Sequence, residues 1–501
     1  MRRWVRLPLA RLLKKFINIA KLWAFVHSFL IAESMRVWYS LHMHKLKLFP
    51  TLSIFFSALS LILFFVIGQS VLNNGTLVAF DIRIHNLVAV SRTLFWNNFF
   101  LFVTYIGEWQ VVVLGIIIVS LLLFLSKKYN YLITLLTSTI GGEVIVWIIK
   151  HSAQRGRPPF SDMLISEHDY SFPSGHAFIA FSFYALLFYI IYKNTENKLI
   201  KVATFAMSVL IVALIGFSRV YLGAHWPSDV FASWTLGFSW LLILITVFKI
   251  QRQTPLPHKE KKLIQKYGIL LFTFWILFLY YFFSTHPYDT PHTMAESFTI
   301  LSKKNIPGNL FTKLPRASET ITGKLMEPIS IVIIATPEIL SQTFQRAGWS
   351  LVDNIAIQTT ERFTKALILD KPYSQIPGAP AFWNTKPDDF AYGKLTSPPS
   401  LSQRHHIHFW KTPFMLDDQR NIWFATAHFD KGFRFISGIG FPTHIIDPAI
   451  DKERDYVTQN LLATKNVQSF QEYQNVPATK GQNQVGDIFF TDGRASIIFL
   501  K

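Results

Sequence analysis

The sequence predicts two regions of different class: a polytopic, all-α membrane region, then a soluble α+β domain. Three observations predict it. Half of the 501 residues are hydrophobic, with 47 Phe and 14 Trp, and a soluble chain this long would need more charge on its surface. Seven apolar runs approach or reach membrane length, near 51–70, 108–126, 131–149, 176–192, 200–217, 229–249 and 267–284. After residue 285 the apolar runs shorten, Pro, Asp and Asn rise, and short strand-like patterns take over.

Residues 1–50 carry ten Lys/Arg against one acid, Glu33, and 249–266 carry six against Glu260. The formal net charge of +19 would also suit nucleic acid. Both basic blocks flank apolar runs, so they read as orientation signals instead. The run 22–32 is too short to span and reads as an amphipathic helix on the cytoplasmic face. No small-residue cleavage site follows it, which argues against a signal peptide, and a mitochondrial presequence is the weaker reading. The positive-inside rule then makes 1–50, Lys127-Lys128, 193–199 and 250–266 cytoplasmic. The opposite side receives 71–107, 150–175, 218–228 and everything after 285. The chain has no cysteine, so disulfides, zinc–thiolate sites and cysteine nucleophiles are excluded.

Three segments on that opposite side carry chemistry: Lys150-x6-Arg157-Pro158, Pro173-Ser174-Gly175-His176, and Ser218-Arg219-x5-His225-x3-Asp229. Each sits where an apolar run meets water, so four helix ends converge at one surface. Lys150, Arg157 and Arg219 are cations able to offset a phosphomonoester of about two charges. Ser174 and Gly175 open a helix whose N-terminal N–H groups suit an anion. Taken singly, each residue has a plain structural reading: a surface histidine, a snorkelling cation, a loop-to-helix proline. Those readings do not explain six polar groups at these spacings on one face.

These three segments resemble the signature of the type-2 phosphatidic acid phosphatase (PAP2) superfamily, and SRVYLGAHWPSD is close to that family's common form. The resemblance covers about residues 51–249 and implies a six-helix core, to which the run at 267–284 adds one further span. It also implies roles. His225 is the nucleophile that forms a phosphohistidine, Asp229 orients it, and His176 is the general acid and base. Lys150, Arg157, Ser174, Gly175 and Arg219 bind the phosphate, with no metal and no cofactor. Glu143 lies two turns before Lys150 on the same helix face and is expected to be a structural partner buried between helices or reached by water from the cleft.

In the soluble region, 329–335 reads as a buried strand and 337–349 as an amphipathic helix entered at Pro337. Segments 404–410 and 421–429 read as strands, and the C-terminus as a hairpin turning at Asp492-Gly493. RHHIHFW and THIIDPAIDKERD resemble the C-terminal domain of LssY-type proteins. Some relatives carry a DedA-like membrane module in front, and 1–50 is then the linker it would leave. His406 and His408 share a strand face, and His444, Asp447 or Asp451 are the residues expected to join them in any metal site. The competing reading is a polar strand surface followed by a helix start capped at Asp447-Pro448.

The expected organisation is a basic cytoplasmic segment (1–50), a membrane phosphatase domain (51–249), a basic loop with a seventh span (250–284) and the soluble domain (285–501). The expected activity is hydrolysis of a phosphatidate-type lipid phosphate or polyprenyl diphosphate at the periplasmic face of a bacterial inner membrane. Its partners are the lipid substrate and the bilayer, not nucleic acid. A lipid phosphotransferase, a vanadate-dependent haloperoxidase-like enzyme and a non-catalytic scaffold are the alternatives.

Overall fold

The computed structural model describes residues 48–159, 162–248, 258–286, 298–303, 306–353, 375, 380–400, 403–435, 442–483 and 485–501. The basic start with its expected amphipathic helix, and most of the basic loop before the last span, lie outside the described residues. The membrane region comprises α1 (Leu48–Leu72), α2 (Thr76–Val90), α3 (Leu94–Ile106), α4 (Trp109–Leu125), α5 (Tyr129–Leu136), α6 (Gly142–Ala153), α7 (Gly175–Ile179), α8 (Leu186–Asn194), α9 (Lys198–Tyr221), α10 (Pro227–Val247) and α11 (His258–Thr285). A π-turn at Thr137–Gly141 joins α5 to α6, and another at Ala180–Ala185 joins α7 to α8.

Among the described residues, six helical stretches are long and apolar enough to cross a membrane. They are Thr51–Leu72, Tyr129–Ala153, Gly175–Asn194, Lys198–Tyr221, Pro227–Val247 and Lys266–Thr285. The pair α3–α4, bent by 43°, makes a seventh if counted as one. The run expected to begin at 108 therefore starts earlier, at Leu94, and is broken at Gly107-Glu108. Large apolar side chains cover the outside of the bundle, as lipid requires: Phe65 is 67 % exposed and Leu199 77 %. Inside, Tyr131, Leu135, Phe183 and Ile215 pack together. Small residues let helices approach closely. A Cβ on Gly216 would fall 2.5 Å from the Trp234 ring, and one on Gly142 2.4 Å from Phe178. Between α1 and α10, the Ser57 and Ser239 hydroxyls bond at 2.7 Å. Glu143 departs from expectation: its side chain is exposed on the outside of the bundle, not buried between helices.

The soluble domain runs through α12 (Ile306–Lys313), α13 (Pro337–Arg346) and α14 (Ile450–Ala463). Its strands are β1 (Thr299–Leu301), β2 (Ala317–Glu319), β3 (Leu325–Pro328), β4 (Ile331–Ala335), β5 (Ser350–Leu351), β6 (Phe382–Trp383), β7 (Lys386–Pro387), β8 (Phe390–Leu395), β9 (Arg404–Leu416), β10 (Asn421–Phe435), β11 (Pro442–Ile446), β12 (Val467–Gln474), β13 (Thr479–Gln482), β14 (Ile488–Thr491) and β15 (Arg494–Leu500). The main sheet has the order β12-β15-β4-β10-β9-β8-β5, with β1 beside β9 and β11 beside β10. β4 is buried at every position, as its unbroken apolar run requires of a central strand. One face of the sheet packs on α12, the other on α13 and α14.

The expected C-terminal hairpin is not formed. β14 pairs with β13, whereas β15 enters the main sheet between β12 and β4. A turn does occur at Asp492-Gly493, with Gly493 at φ +78°. It diverts the chain between sheets because Asp492 is held by the Arg454 guanidinium at 2.7 Å and its N–H donates to Asp451 at 2.7 Å. Nor does Asp447 cap α14 directly; it forms a local turn, accepting from Ala449 N–H at 2.9 Å.

α2 joins the two regions. Arg83 forms a buried ion pair with Glu319, and Asn86 Nδ2 donates to the Thr385 carbonyl at 2.9 Å. Gly323, at φ +83°, lies against the Arg83 guanidinium, where a Cβ would come within 3.1 Å.

Candidate active site

The turn after α9 explains how Arg219 and His225 come to lie together. Gly223 adopts φ +77°, and a Cβ there would strike the Asp162 carbonyl at 2.7 Å. Its N–H donates to Val220 O at 3.1 Å, and Ala224 N–H reaches back to Arg219 O at 3.0 Å. These two bonds make a Schellman stop, which folds the chain back over the helix end. His225 N–H also donates to Arg219 O, at 3.2 Å. Pro227 then starts α10, and Asp229 Oδ2 accepts from Trp226 N–H at 2.9 Å, the carboxylate half of a capping box.

The predicted residues converge. Arg219 is fully buried; it donates to Thr104 Oγ1 at 2.7 Å and pairs with Glu167. Arg157 pairs with the other Glu167 oxygen at 3.4 Å and donates to the Ala224 carbonyl at 2.7 Å and to His225 Nε2 at 3.1 Å. Lys150 Nζ donates to Asp169 at 2.6 Å and to the Tyr170 carbonyl at 2.6 Å. His176 Nε2 lies 3.2 Å from Glu108 Oε2. Ser174 is buried, and its hydroxyl oxygen caps α7, accepting from Ala177 N–H at 3.5 Å. A Cβ on Gly175 would meet nothing within 4 Å, so the helix start faces open space.

The protonation of His225 follows from its neighbours. Guanidinium nitrogens only donate, so Nε2 facing Arg157 presents its lone pair, and the ring proton belongs on Nδ1. Nδ1 faces Asp229 Oδ2 at 3.5 Å, too long for a good hydrogen bond. Burial, then the charges of Arg157, Arg219 and Lys150, hold the imidazole well below its ordinary range. The ring is therefore neutral at neutral pH. Glu167 goes the other way. Burial opposes its ionisation, but Arg219, His176, Arg157 and His225 outweigh it and hold the carboxyl below the usual range.

Four further residues belong to the site and were not singled out from sequence. Arg155 donates to Asp229 Oδ1 and to Ser228 Oγ at 2.8 Å, and pairs at 2.6 Å with the fully buried Asp81 of α2. Asp81 also accepts from Ser228 N–H at 2.8 Å. Glu108 comes from the break between α3 and α4, and Glu167 from the loop after α6. Two signals were available: an acid inside an apolar helix (AFDIRIHNL), and an arginine between Lys150 and Arg157.

Fold and site together define a multi-pass membrane protein that gathers Lys150, Arg157 and Arg219 near the ends of its spans. Residues 131–253 match the family model of the PAP2 superfamily, and 311–495 that of the LssY C-terminus. The membrane region thus carries a PAP2-superfamily phosphatase domain, followed by an LssY-type C-terminal domain. It is 28 % identical over 201 residues to phosphatidylglycerophosphatase B of Bacillus subtilis, covering 39 % of this chain and 98 % of that protein. It is also 28 % identical over 191 residues to undecaprenyl-diphosphatase of Sulfolobus acidocaldarius, covering 37 % and 85 % respectively. Two solved structures align with the membrane region. One is the transmembrane PAP2-type phosphatidylglycerolphosphate phosphatase of Bacillus subtilis (TM-score 0.37, 23 % identity, 40 % of this chain and 98 % of that one). The other is LpxE of Aquifex aeolicus (TM-score 0.26, 26 % identity, 32 % and 92 %).

Proposed function

We propose that this protein removes the terminal phosphate of a membrane lipid, a phosphomonoester or a diphosphate, through a phosphohistidine on His225 and without a metal. One observation carries the reading: the single carboxylate of Glu167 bridges Arg157 and Arg219 beside the neutral His225. A carboxylate held by two guanidinium groups marks where a phosphoryl group would sit. Phosphate displaces Glu167, and Lys150 joins the two arginines around its oxygens. The lone pair on Nε2 of His225 attacks phosphorus as the bond to the leaving oxygen breaks. His176 gives its proton to that oxygen, and Glu108 steadies the imidazolium beforehand. Water then attacks the N–P bond, with His176 taking the proton. Asp229 keeps the His225 proton on Nδ1, and Arg155 and Asp81 hold Asp229 in place.

The substrate class follows from position. The pocket lies where four spans end, so a lipid whose tail stays in the bilayer brings its headgroup to the cations. The names of the relatives point to phosphatidylglycerophosphate and undecaprenyl diphosphate as the compounds to try first. The loop charges support a cytoplasmic N-terminus, with pocket and soluble domain outside a bacterial inner membrane. The same reading divides the chain at 51–249, 250–284 and 285–501.

The test is phosphate release by the purified full chain in detergent, with chelator present, across phosphatidate, phosphatidylglycerophosphate, undecaprenyl diphosphate and lipid A. Release from at least one, inhibited by vanadate, is expected. A turnover that depends on added divalent metal would overturn the mechanism.

A further inference from the structure

The soluble domain carries a second cluster of histidines that the phosphatase reaction does not use. His406 and His408 lie two apart on β9, so both point to the same face of the sheet. On β10, His428 is the direct cross-strand partner of His406, and Thr426 that of His408. Partners across an antiparallel pair share a face. Topology therefore delivers three imidazoles to one spot, and one ligating atom from each lies within 4.8 Å of the others. The ring centroids are 4.4, 5.4 and 5.7 Å apart. Asp447 and Asp451, the expected partners, are engaged elsewhere: Asp447 at its own turn, Asp451 with Thr491 Oγ1 at 2.7 Å and Asp492 N–H. The side chain of His444 lies outside the described residues.

We infer that His406, His408 and His428 bind a divalent transition-metal ion of the zinc class. Carboxylates stand behind the three imidazoles. Asp388 Oδ2 lies 3.0 Å from His408 Nδ1, which fixes the proton there and turns Nε2 toward the cluster. Asp430 Oδ1 lies 3.4 Å from His428 Nε2, and the buried Nδ1 of that ring has no hydrogen-bond partner among the described residues. For His406, Nδ1 sits between Asp430 Oδ2 at 3.7 Å and Arg404 Nη2 at 3.4 Å. The Arg404 charge opposes a cation, but Asp430 matches it at 2.9 Å, which leaves Asp388 to favour one. Nitrogen-only donors with no thiolate suit zinc, and three protein ligands leave a fourth tetrahedral position for water or an anion.

The test uses the full chain in detergent, freed of metal with chelator and then dialysed against zinc. Uptake of about one zinc per chain is expected, as for a three-histidine site. His408→Gln and His428→Gln should each lose that uptake, while His151→Gln, at an exposed position in the membrane region, should keep it. Asp388→Asn should bind 10–100-fold more weakly, the usual effect of removing a carboxylate behind a ligand (about 10–100-fold). Cobalt in place of zinc should give the visible absorption of a four-coordinate site, absent in His428→Gln. No uptake by the parent protein, or undiminished uptake by His428→Gln, overturns the inference. Should both glutamine variants fail to fold, Asp388→Asn decides: an unchanged zinc affinity in a protein with parental melting also overturns it.

Discussion

The molecule uses histidine twice, and the surroundings differ in sign. In the membrane region His176 and His225 are kept apart, each beside one acid, with Arg157, Arg219 and Lys150 close by. In the soluble domain three histidines are gathered, with Asp388 and Asp430 behind them. Cations around a neutral imidazole prepare it to meet an anion. Carboxylates behind clustered imidazoles prepare them to share a cation. The side chain is the same; the charges around it differ.

The largest effect that sharpens this contrast is at His225. Changing it to Gln should lower phosphate release by at least about 10³-fold, with melting preserved, because the nucleophile is gone while the cations remain. Single-turnover assays with radiolabelled substrate should also show loss of the acid-labile phosphoenzyme. Full activity in that variant would break the assignment.

Arg219→Lys comes next. It keeps the charge but loses the fork that holds Thr104 and Glu167, so kcat/KM should fall about 10²-fold. An equal activity would mean that charge alone, without geometry, serves the anion pocket.

Asp81→Asn tests the layer behind the site. Asp81 touches no substrate position; it holds Arg155, which holds Asp229. The expected loss is about tenfold in kcat with KM little changed, the size seen when a supporting carboxylate is removed. Its stability cost should be about 3–5 kcal/mol, as for other broken buried pairs. A rise in KM with unchanged kcat would place Asp81 in binding instead.

The smallest effect is a shift along the pH axis. Lowering the His225 pKa keeps the ring neutral, and so nucleophilic, as pH falls through the ordinary histidine value of about 6.5. The acid limb of kcat/KM that belongs to this ring should therefore lie below that value. Arg157→Gln removes a neighbouring cation, raises the pKa and moves the limb upward. Stability has the matching sign: below about 6.5 the unfolded ring takes a proton that the folded ring refuses, so stability declines as pH falls. Comparing parent and variant on one substrate cancels the titration of the phosphate itself. A limb that stays in place would break the contrast between the two histidine environments.

Much of this was legible in the sequence because it rests on local pattern. Apolar run length set the spans, since a helix satisfies its own backbone within one such run. The helix start near Pro227 was legible for the same reason, being a short-range event. What escaped depends on distant parts of the chain. Glu108 reaches His176 only because α3–α4 bends at Gly107, and Asp81 reaches Arg155 only because α2 folds over the end of α10. The C-terminal turn was read correctly as a turn and wrongly as a hairpin, because Arg454 and Asp451, forty residues earlier, hold Asp492 and send β15 elsewhere.

The sequence by itself therefore determined the class of the protein, the membrane-length runs, and the cations and histidines that the fold brings together. These follow from composition, periodicity and spacing, which act over a few residues. The tertiary structure alone decided which acids stand behind those cations, how α2 ties the phosphatase region to the soluble domain, and that His428 completes a trio with His406 and His408. Each of those depends on strand register or helix contact between residues far apart in the chain, and no local pattern encodes such a pairing.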